Sequence, residues 1–199
     1  MTPLERPSAI LDAREHDSLA GAPSFTLSHR AFRTVWIVAW TLLARWTPPP
    51  MHRWRVMLLN LFGARVAADA RVYASASIWY PPNLEMRSQA TLGSGVICYA
   101  MDRIVIGERA VVSQRAHLCA GTHLVDDPHF QLVARPIEIG AYAWVAAEAF
   151  VGPGVSIGEG AVLGARGVTV KDLDAWTIYA GNPARPIRTR SPFMIPRAS

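Results

Sequence analysis

Three of the six histidines, His117, His123 and His129, recur every six residues in the stretch "HLCAGTHLVDDPHF". Imidazoles this close together suit two kinds of chemistry. Converging, they hold a metal such as zinc. Alone, one of them takes a proton near neutral pH, because its pKa lies close to the working pH. The choice depends on whether the intervening six residues bring the rings together or drive them apart.

A period of six is neither helical nor that of a long strand. It recurs far beyond these histidines. Branched or apolar residues stand at Val66, Val72 and Ile78, then at Met86, Leu92 and Cys98, then at Ile106, Val112 and Leu118. The ladder resumes as Ile139, Val145, Val151, Ile157 and Leu163, and weakens at Thr169 and Ala175. The phase slips by two after each of the first two sets of three hexads. A short strand plus a turn consumes six residues. Three such units close a triangular coil, and the slip marks a corner. Stacked coils bury a column of apolar side chains and pair their strands with the next coil. The spacing therefore predicts an all-β parallel β-helix of about five coils: 66–85, 86–105, 106–123, 139–156 and 157–174. A β-sandwich would instead show a period of two.

On this frame residues six apart face successive sides of the triangle, so His117 and His123 diverge. The sixth position of every third hexad gives a column of Asn83, Arg103, His123 and Ser156, with Asp102 beside Arg103. A polar column against an apolar prism predicts a cleft. The 15-residue interruption Leu124–Glu138 leaves from the same corner, and long excursions from a rigid repeat tend to carry function. His123 is thus the candidate base, His117 an outward coil residue, and His129 a loop residue able to face an acceptor. Cys98 occupies a ladder position and reads as core. Cys119, with no catalytic context, reads as structural.

The rest of the chain falls into three parts. Residues 1–28 lack periodicity and read as a loose arm. Residues 29–65 read as helical. An apolar helix over His29–Trp46 is broken by "TPPP", and a second helix stops at Gly63. The uncharged run Thr34–Ala44 is too short to cross a bilayer. The β-helix is expected over 66–180 and a tail over 181–199. Nineteen of the 20 basic residues are Arg, the exception being Lys171, and the net charge of +5 points to an acidic partner. Two cysteines fit a reducing cytosol rather than a disulfide framework. No signal peptide is recognisable. "GEGAVLG" at 158–164 is locked to the hexads, which excludes a nucleotide-binding loop.

The hexads "IGEGAV" and "LGARGV" and the closing "VKDLDAWTIYAGNPARPI" resemble the hexapeptide-repeat acyltransferases, whose fold is a left-handed β-helix. The closest likeness, over roughly 50–187, is to colanic-acid acetyltransferases of exopolysaccharide gene clusters. It rests on "RWRVMLLNLFGARV", "NLEM", "LGSGVICY", "VVSQRAHLCAGTH", "DDPHFQL", "AWVAAEAFVGPGVSIGEGAVLGARGV" and "AGNPAR". The resemblance implies a homotrimer with active sites between subunits. It also implies acetyl-CoA as co-substrate and a sugar acceptor. It makes His123 the base that takes a proton from the acceptor hydroxyl, with no acyl-enzyme. The Ala147 backbone N–H becomes the oxyanion donor, and Trp144 packs near the reactive arm of CoA. Ala165, Val170, Lys171, Gly181, Asn182, Pro183 and Arg185 match the CoA-binding end. Many relatives have Thr where this chain has Val170. Glu148 orients His123, touches acceptor or is a solvated surface acid, and these alternatives stay open. So do two others of a different class. The same kind of coil carries γ-type carbonic anhydrases, whose zinc sits between subunits. The Trp-rich, Arg-flanked helices (Trp36, Trp40, Trp46, Trp54) would serve a membrane adaptor, through peripheral contact by residues 29–62, or pack on the helix end or a neighbouring subunit. The expected location is the cytoplasm, at the inner face of the membrane if that contact is made. Nucleic acid is not an expected partner.

Overall fold

The computed structural model describes residues 9–16 and 20–192. Helix α1 spans Leu27–Leu43 and α2 spans His52–Leu61. The prolines after Thr47 keep the two helices apart, and Trp54 Nε1 donates to the Leu43 carbonyl at the end of α1 (2.7 Å). Gly63, in the left-handed region at φ 88°, ends the helical part, as its position predicts.

The coils follow. The first holds β1 (Arg65–Val66), β2 (Arg71–Val72) and β3 (Ser77–Ile78). The second holds β4 (Leu84–Met86), β5 (Thr91–Leu92) and β6 (Ile97–Tyr99). The third holds β7 (Ile104–Ile106), β8 (Val111–Val112) and β9 (His117–Cys119). A hairpin of β10 (Gly121–His123) and β11 (Leu132–Ala134) then interrupts the repeat. The fourth coil holds β12 (Ile137–Ile139), β13 (Trp144–Val145) and β14 (Phe150–Val151), and the fifth β15 (Ser156–Ile157), β16 (Val162–Leu163) and β17 (Val168–Thr169). After them β18 (Thr177–Ala180) starts a sixth, partial coil, and β19 (Arg185–Thr189) folds back antiparallel on it.

The strands stack into three parallel sheets: β1-β4-β7-β12-β15, β2-β5-β8-β13-β16-β18 and β3-β6-β9-β14-β17. Every ladder residue from Val66 to Leu163 is buried, as is Thr169. The turns between sheets use left-handed residues stacked coil on coil. One corner holds Gln89, Arg109, Tyr142, Gly160 and Trp176, the other Gly95, Arg115, Glu148 and Arg166.

Four expectations need correction. The coil count of about five becomes five complete coils and part of a sixth. The ladder does not continue at Ala175, which is exposed. Leu173 bridges Ile157 and Tyr179 pairs with Leu163, so a further slip has moved the register. Of the alternatives left open for the Trp-rich helices, the membrane one fails for Trp36 and Trp40 and packing on the helix end holds: both are buried against the first coil, and Trp36 Nε1 donates to the Ile78 carbonyl (2.7 Å). Beside them Arg55, fully buried on α2, donates to the carbonyls of Val72 (2.6 Å) and Pro49 (2.6 Å). The two helices thus plug the open end of the prism, where β1–β3 would otherwise expose their interior.

The fourth correction concerns the arm. Residues 1–8 and 17–19 lie outside the described residues. The remainder is packed rather than loose. Ile10 bridges Phe25 antiparallel and is buried with Met101 and Ala134. Gln131 fastens the arm to the hairpin: its Oε1 accepts from the Ala13 N–H (2.7 Å) and its Nε2 donates to the Leu11 carbonyl (3.2 Å).

Candidate active site

The repeat breaks at Gly121. A side chain there would put its Cβ 2.1 Å from Met101 Sδ, so glycine lets β10 leave the prism over the second coil without displacing the Met101 side chain. The hairpin pairs His123 with Leu132. His123 Nδ1 lies 2.8 Å from the Phe130 carbonyl, and the ring stacks on Phe130 at 4.2 Å with the planes 12° apart. A carbonyl only accepts, so Nδ1 carries the proton and the neutral ring keeps its basic lone pair on Nε2. His123 lines a cleft of about 440 Å³ together with Phe25, Arg30, Arg33, Tyr99 and Leu132. Phe25, Arg30 and Arg33 come from the arm and α1, and the sequence reading did not place them here. The only signal was the run of arginines without acids after Arg30.

The predicted column does not form. Ile104 pairs with Leu84 on one side and Ile137 on the other, which puts Pro136, not His123, over Arg103 and Asn83. Ser156 stands over Glu138, two residues further along the strand. The error came from assuming that the coil runs on to residue 123, when the hairpin has already taken the chain out at Gly121. Asn83 spans two coils, its Nδ2 donating to the carbonyls of Ala100 and Met101 (both 3.1 Å). Arg103 Nη2 donates to Glu85 (2.8 Å), which also pairs with Arg87 (2.6 Å). The Arg103 hydrogen bond above all holds the Glu85 carboxyl below its ordinary pKa. Asp102 accepts from the Arg103 N–H (2.6 Å). His129 is exposed at the hairpin tip, its N–H donating to Asp127 (2.9 Å).

Glu148 does not meet His123. It bridges Arg115 and Arg166 of the coils on either side, with Arg166 Nε at 2.7 Å. The Arg166 hydrogen bond, then both positive charges, lowers its carboxyl pKa. His117 faces outward from β9, half-buried edge-on to Phe150 (5.3 Å), and burial lowers its pKa. Cys98 is fully buried and its thiol is pushed up to about 12, so it is inert as a nucleophile. Among the described residues no three metal-ligating side chains come together.

A second surface lies on the β13 side. Trp144 is half-exposed, its Nε1 donating to Ser113 (2.8 Å), in a groove of about 550 Å³. Ala147 and Ala165 take equivalent turns in the fourth and fifth coils. Their small side chains leave the main chain at the surface, and the Ala147 N–H has no protein acceptor among the described residues. At the end of the prism the Val168 N–H donates to the Gly181 carbonyl (3.0 Å) and the Ala184 N–H to that of Val168 (2.8 Å). These bonds set Val170 and Lys171 beside Gly181, Asn182, Pro183 and Arg185. All six are exposed, and Lys171 and Arg185 give that end two cations. The surface fits an extended anion whose arm follows the turns. Within one chain, the cleft around His123 and the groove around Trp144 share no lining residue.

No family model matches the chain. It is 42% identical over 155 residues to WcaF of Escherichia coli K12, whose name assigns it to colanic acid biosynthesis as an acetyltransferase; the match covers 78% of this chain and 85% of that one. Its fold is that of a maltose O-acetyltransferase from Clostridium difficile 630 (TM-score 0.75, 21% identity, 93% of this chain and 100% of that one). A hexapeptide-repeat acetyltransferase from Vibrio cholerae, solved with acetyl-CoA, matches with a TM-score of 0.73 at 18% identity, over 92% of this chain and 100% of that one. A left-handed parallel β-helix with two helices at its mouth and a hairpin that interrupts the repeat at one corner defines the class. The chain belongs to the hexapeptide-repeat acetyltransferases, in the branch that contains WcaF.

Proposed function

We propose that the protein is an acetyl-CoA-dependent O-acetyltransferase acting on a sugar hydroxyl in exopolysaccharide assembly. The observation that carries this reading is the bond from His123 Nδ1 to the Phe130 carbonyl, on a residue lining the cleft. Nε2 accepts the acceptor hydroxyl proton as that oxygen attacks the thioester carbon. The Ala147 N–H donates to the oxyanion. The C–S bond then breaks, and the departing thiolate takes the proton back from the imidazolium. The acetyl group has replaced one hydroxyl proton, and no acyl-enzyme forms. CoA lies along Trp144, Ala147 and Ala165, its phosphates towards Lys171, Arg185 and the Gly181–Pro183 turn. Of the acceptor-side candidates, His129 keeps an unengaged ring. Asn83, Arg103 and Glu148 are committed to their own contacts, and Asp102 retains one carboxylate oxygen.

Two of the three outer faces carry apolar residues in their middle coils, beside polar ones such as Arg71 and His117. Val111 and Trp144 project from the β2–β18 sheet, Ile97 and Phe150 from the β3–β17 sheet, whereas the β1–β15 face carries Arg65, Glu138 and Ser156. Joining the first two faces between copies makes a closed homotrimer and brings the His123 cleft of one copy to the Trp144 groove of the next. Contact with a membrane face is supported by the exposed apolar residues Leu27, Val35, Val38 and Leu42 on α1 and Trp46 just beyond it, continued by Trp54, Met57 and Leu61 on α2. No described helix is long and apolar enough to cross a membrane. Replacing Val38, Leu42 and Trp46 by Ser is expected to abolish flotation with anionic vesicles; unchanged flotation refutes the contact.

The test of the reaction is thiol release from acetyl-CoA over a panel of glycans. His123→Ala is expected to lower kcat by about 10²–10⁴ with unchanged thermal unfolding. Robust turnover by that variant removes the assignment.

A further inference from the structure

The cleft around His123 carries two arginines and, among its described lining residues, no acid. Arg30 and Arg33 lie one turn apart on α1, so both reach the same side of the helix. The Arg33 guanidinium lies over the Trp79 ring, its Cζ 4.0 Å from the centroid. Its Nε is buried and has no hydrogen-bond partner among the described residues. A buried guanidinium N–H left unmatched is costly, and a ligand that accepts from it recovers that cost. The other polar side chains of the cleft are hydroxyls, Ser24 and Tyr99. Apart from the base itself, the cleft is thus furnished for an acceptor of hydrogen bonds bearing negative charge. Guanidinium forks match the two oxygens of a carboxylate or a phosphate. The cleft volume, about 440 Å³, suits one or two sugar rings, and Phe25 gives a ring a face to lie against.

We propose that the sugar acceptor is acidic, and that Arg33 with Arg30 holds its carboxylate or phosphate ester while His123 works on a hydroxyl. Trp79 fixes the plane of the Arg33 fork, and Arg30, exposed at the rim, steers the charge inward. The cleft thereby selects among acceptors that offer equivalent hydroxyls. The proposal rests on the transferase reading for the role of His123 but not for the binding itself.

Binding is therefore measured first, without acetyl-CoA, by calorimetry on the full chain. The probes are methyl glucoside, methyl glucuronide and glucose 6-phosphate. At least one anionic probe is expected to bind at least tenfold more tightly than the neutral one, about 1.4 kcal/mol. Which anionic probe wins identifies the acidic group. Arg33→Gln and Arg30→Gln are expected to shrink that preference, and Arg33→Lys, which keeps charge but loses the fork, to restore part of it. Lys171→Gln is expected to leave it intact. Equal affinity for all three probes overturns the proposal, as does a preference that survives both arginine substitutions or disappears in Lys171→Gln. His123→Ala is expected to retain the preference while losing transfer. If transfer persists in that variant, the catalytic reading falls and the probe preference still decides the acidic subsite.

Discussion

The prism and the corner it supports are held together in different ways. In the prism each coil repeats the contacts of the last. Ladder side chains stack inward, and main-chain bonds such as Gly93 N–H to the Val112 carbonyl (2.8 Å) and Ser113 N–H to that of Val145 (2.8 Å) recur at equivalent positions. At the corner nothing repeats. The hairpin, the arm and α1 meet through single contacts: one glycine against Met101, one bridge between Ile10 and Phe25, one glutamine tying hairpin to arm. The prism spreads its stability over many equivalent bonds. The corner concentrates its geometry in a few, and it is there that His123 sits. Rigid repeats supply a platform, and a short departure from them supplies chemistry.

The contrast is broken most sharply by emptying the prism. Leu118, fully buried at a ladder position just before the hairpin, is expected to cost about 2–5 kcal/mol as Leu118→Ala. Because its neighbours above and below are bonded to it, the loss should appear in one cooperative unfolding transition. A separate early transition confined to the corner would mean that the two regions are not distinguished in this way. Gly121→Ala acts at the point of departure. Met101 must move from under the new methyl, at roughly 1–3 kcal/mol. Faster amide exchange in β10–β11 and a fall in kcat should exceed any effect on the coils above; equal exchange throughout contradicts the division.

Gln131→Ala is smaller still. It leaves the Ala13 N–H and the Leu11 carbonyl unpaired, and about 1–2 kcal/mol is expected. The loss should fall on the arm, as earlier proteolytic cleavage within residues 9–16, with the melting of the prism almost unchanged. An arm that stays protected shows that the Ile10–Phe25 bridge suffices alone.

The same difference explains what could be read from the sequence. Periodicity writes each coil many times over, so the ladder from Val66 to Leu163, the turns and the end-plugging helices could be placed, and His123 was picked out by the interruption it opens. Non-repeating contacts are written once. Nothing in the spacing says that Gln131 reaches back to Ala13, or that Arg30 and Arg33 turn towards His123. The false column of Asn83, Arg103, His123 and Ser156 came from extending the repeat two residues past Gly121. The misplaced ladder position at Ala175 came from missing a slip to Leu173. Both errors sit where the repeat ends, and a period carries no information about its own termination.

Acid separates the two regions with the smallest effect. Glu85 lies on the prism face, nearly buried, and accepts from Arg103 while pairing with Arg87. Its pKa in the folded chain is depressed below the ordinary 4.5, first by the Arg103 hydrogen bond. A carboxyl depressed on folding stabilises the native state fully above the unfolded pKa, and that stability is lost as pH falls through the folded value. The melting temperature of the wild type should therefore decline below about pH 4.5 more steeply than that of Glu85→Gln, the two curves converging at the acid end. The arm contacts made by Gln131 carry no titrating group, so cleavage of the arm should keep its protection over the range in which the wild type begins to lose stability. Parallel melting curves for wild type and Glu85→Gln would show that Arg103 and Arg87 contribute nothing net on that face, as exposed pairs often do. Early release of the arm in acid would instead couple the corner to the prism.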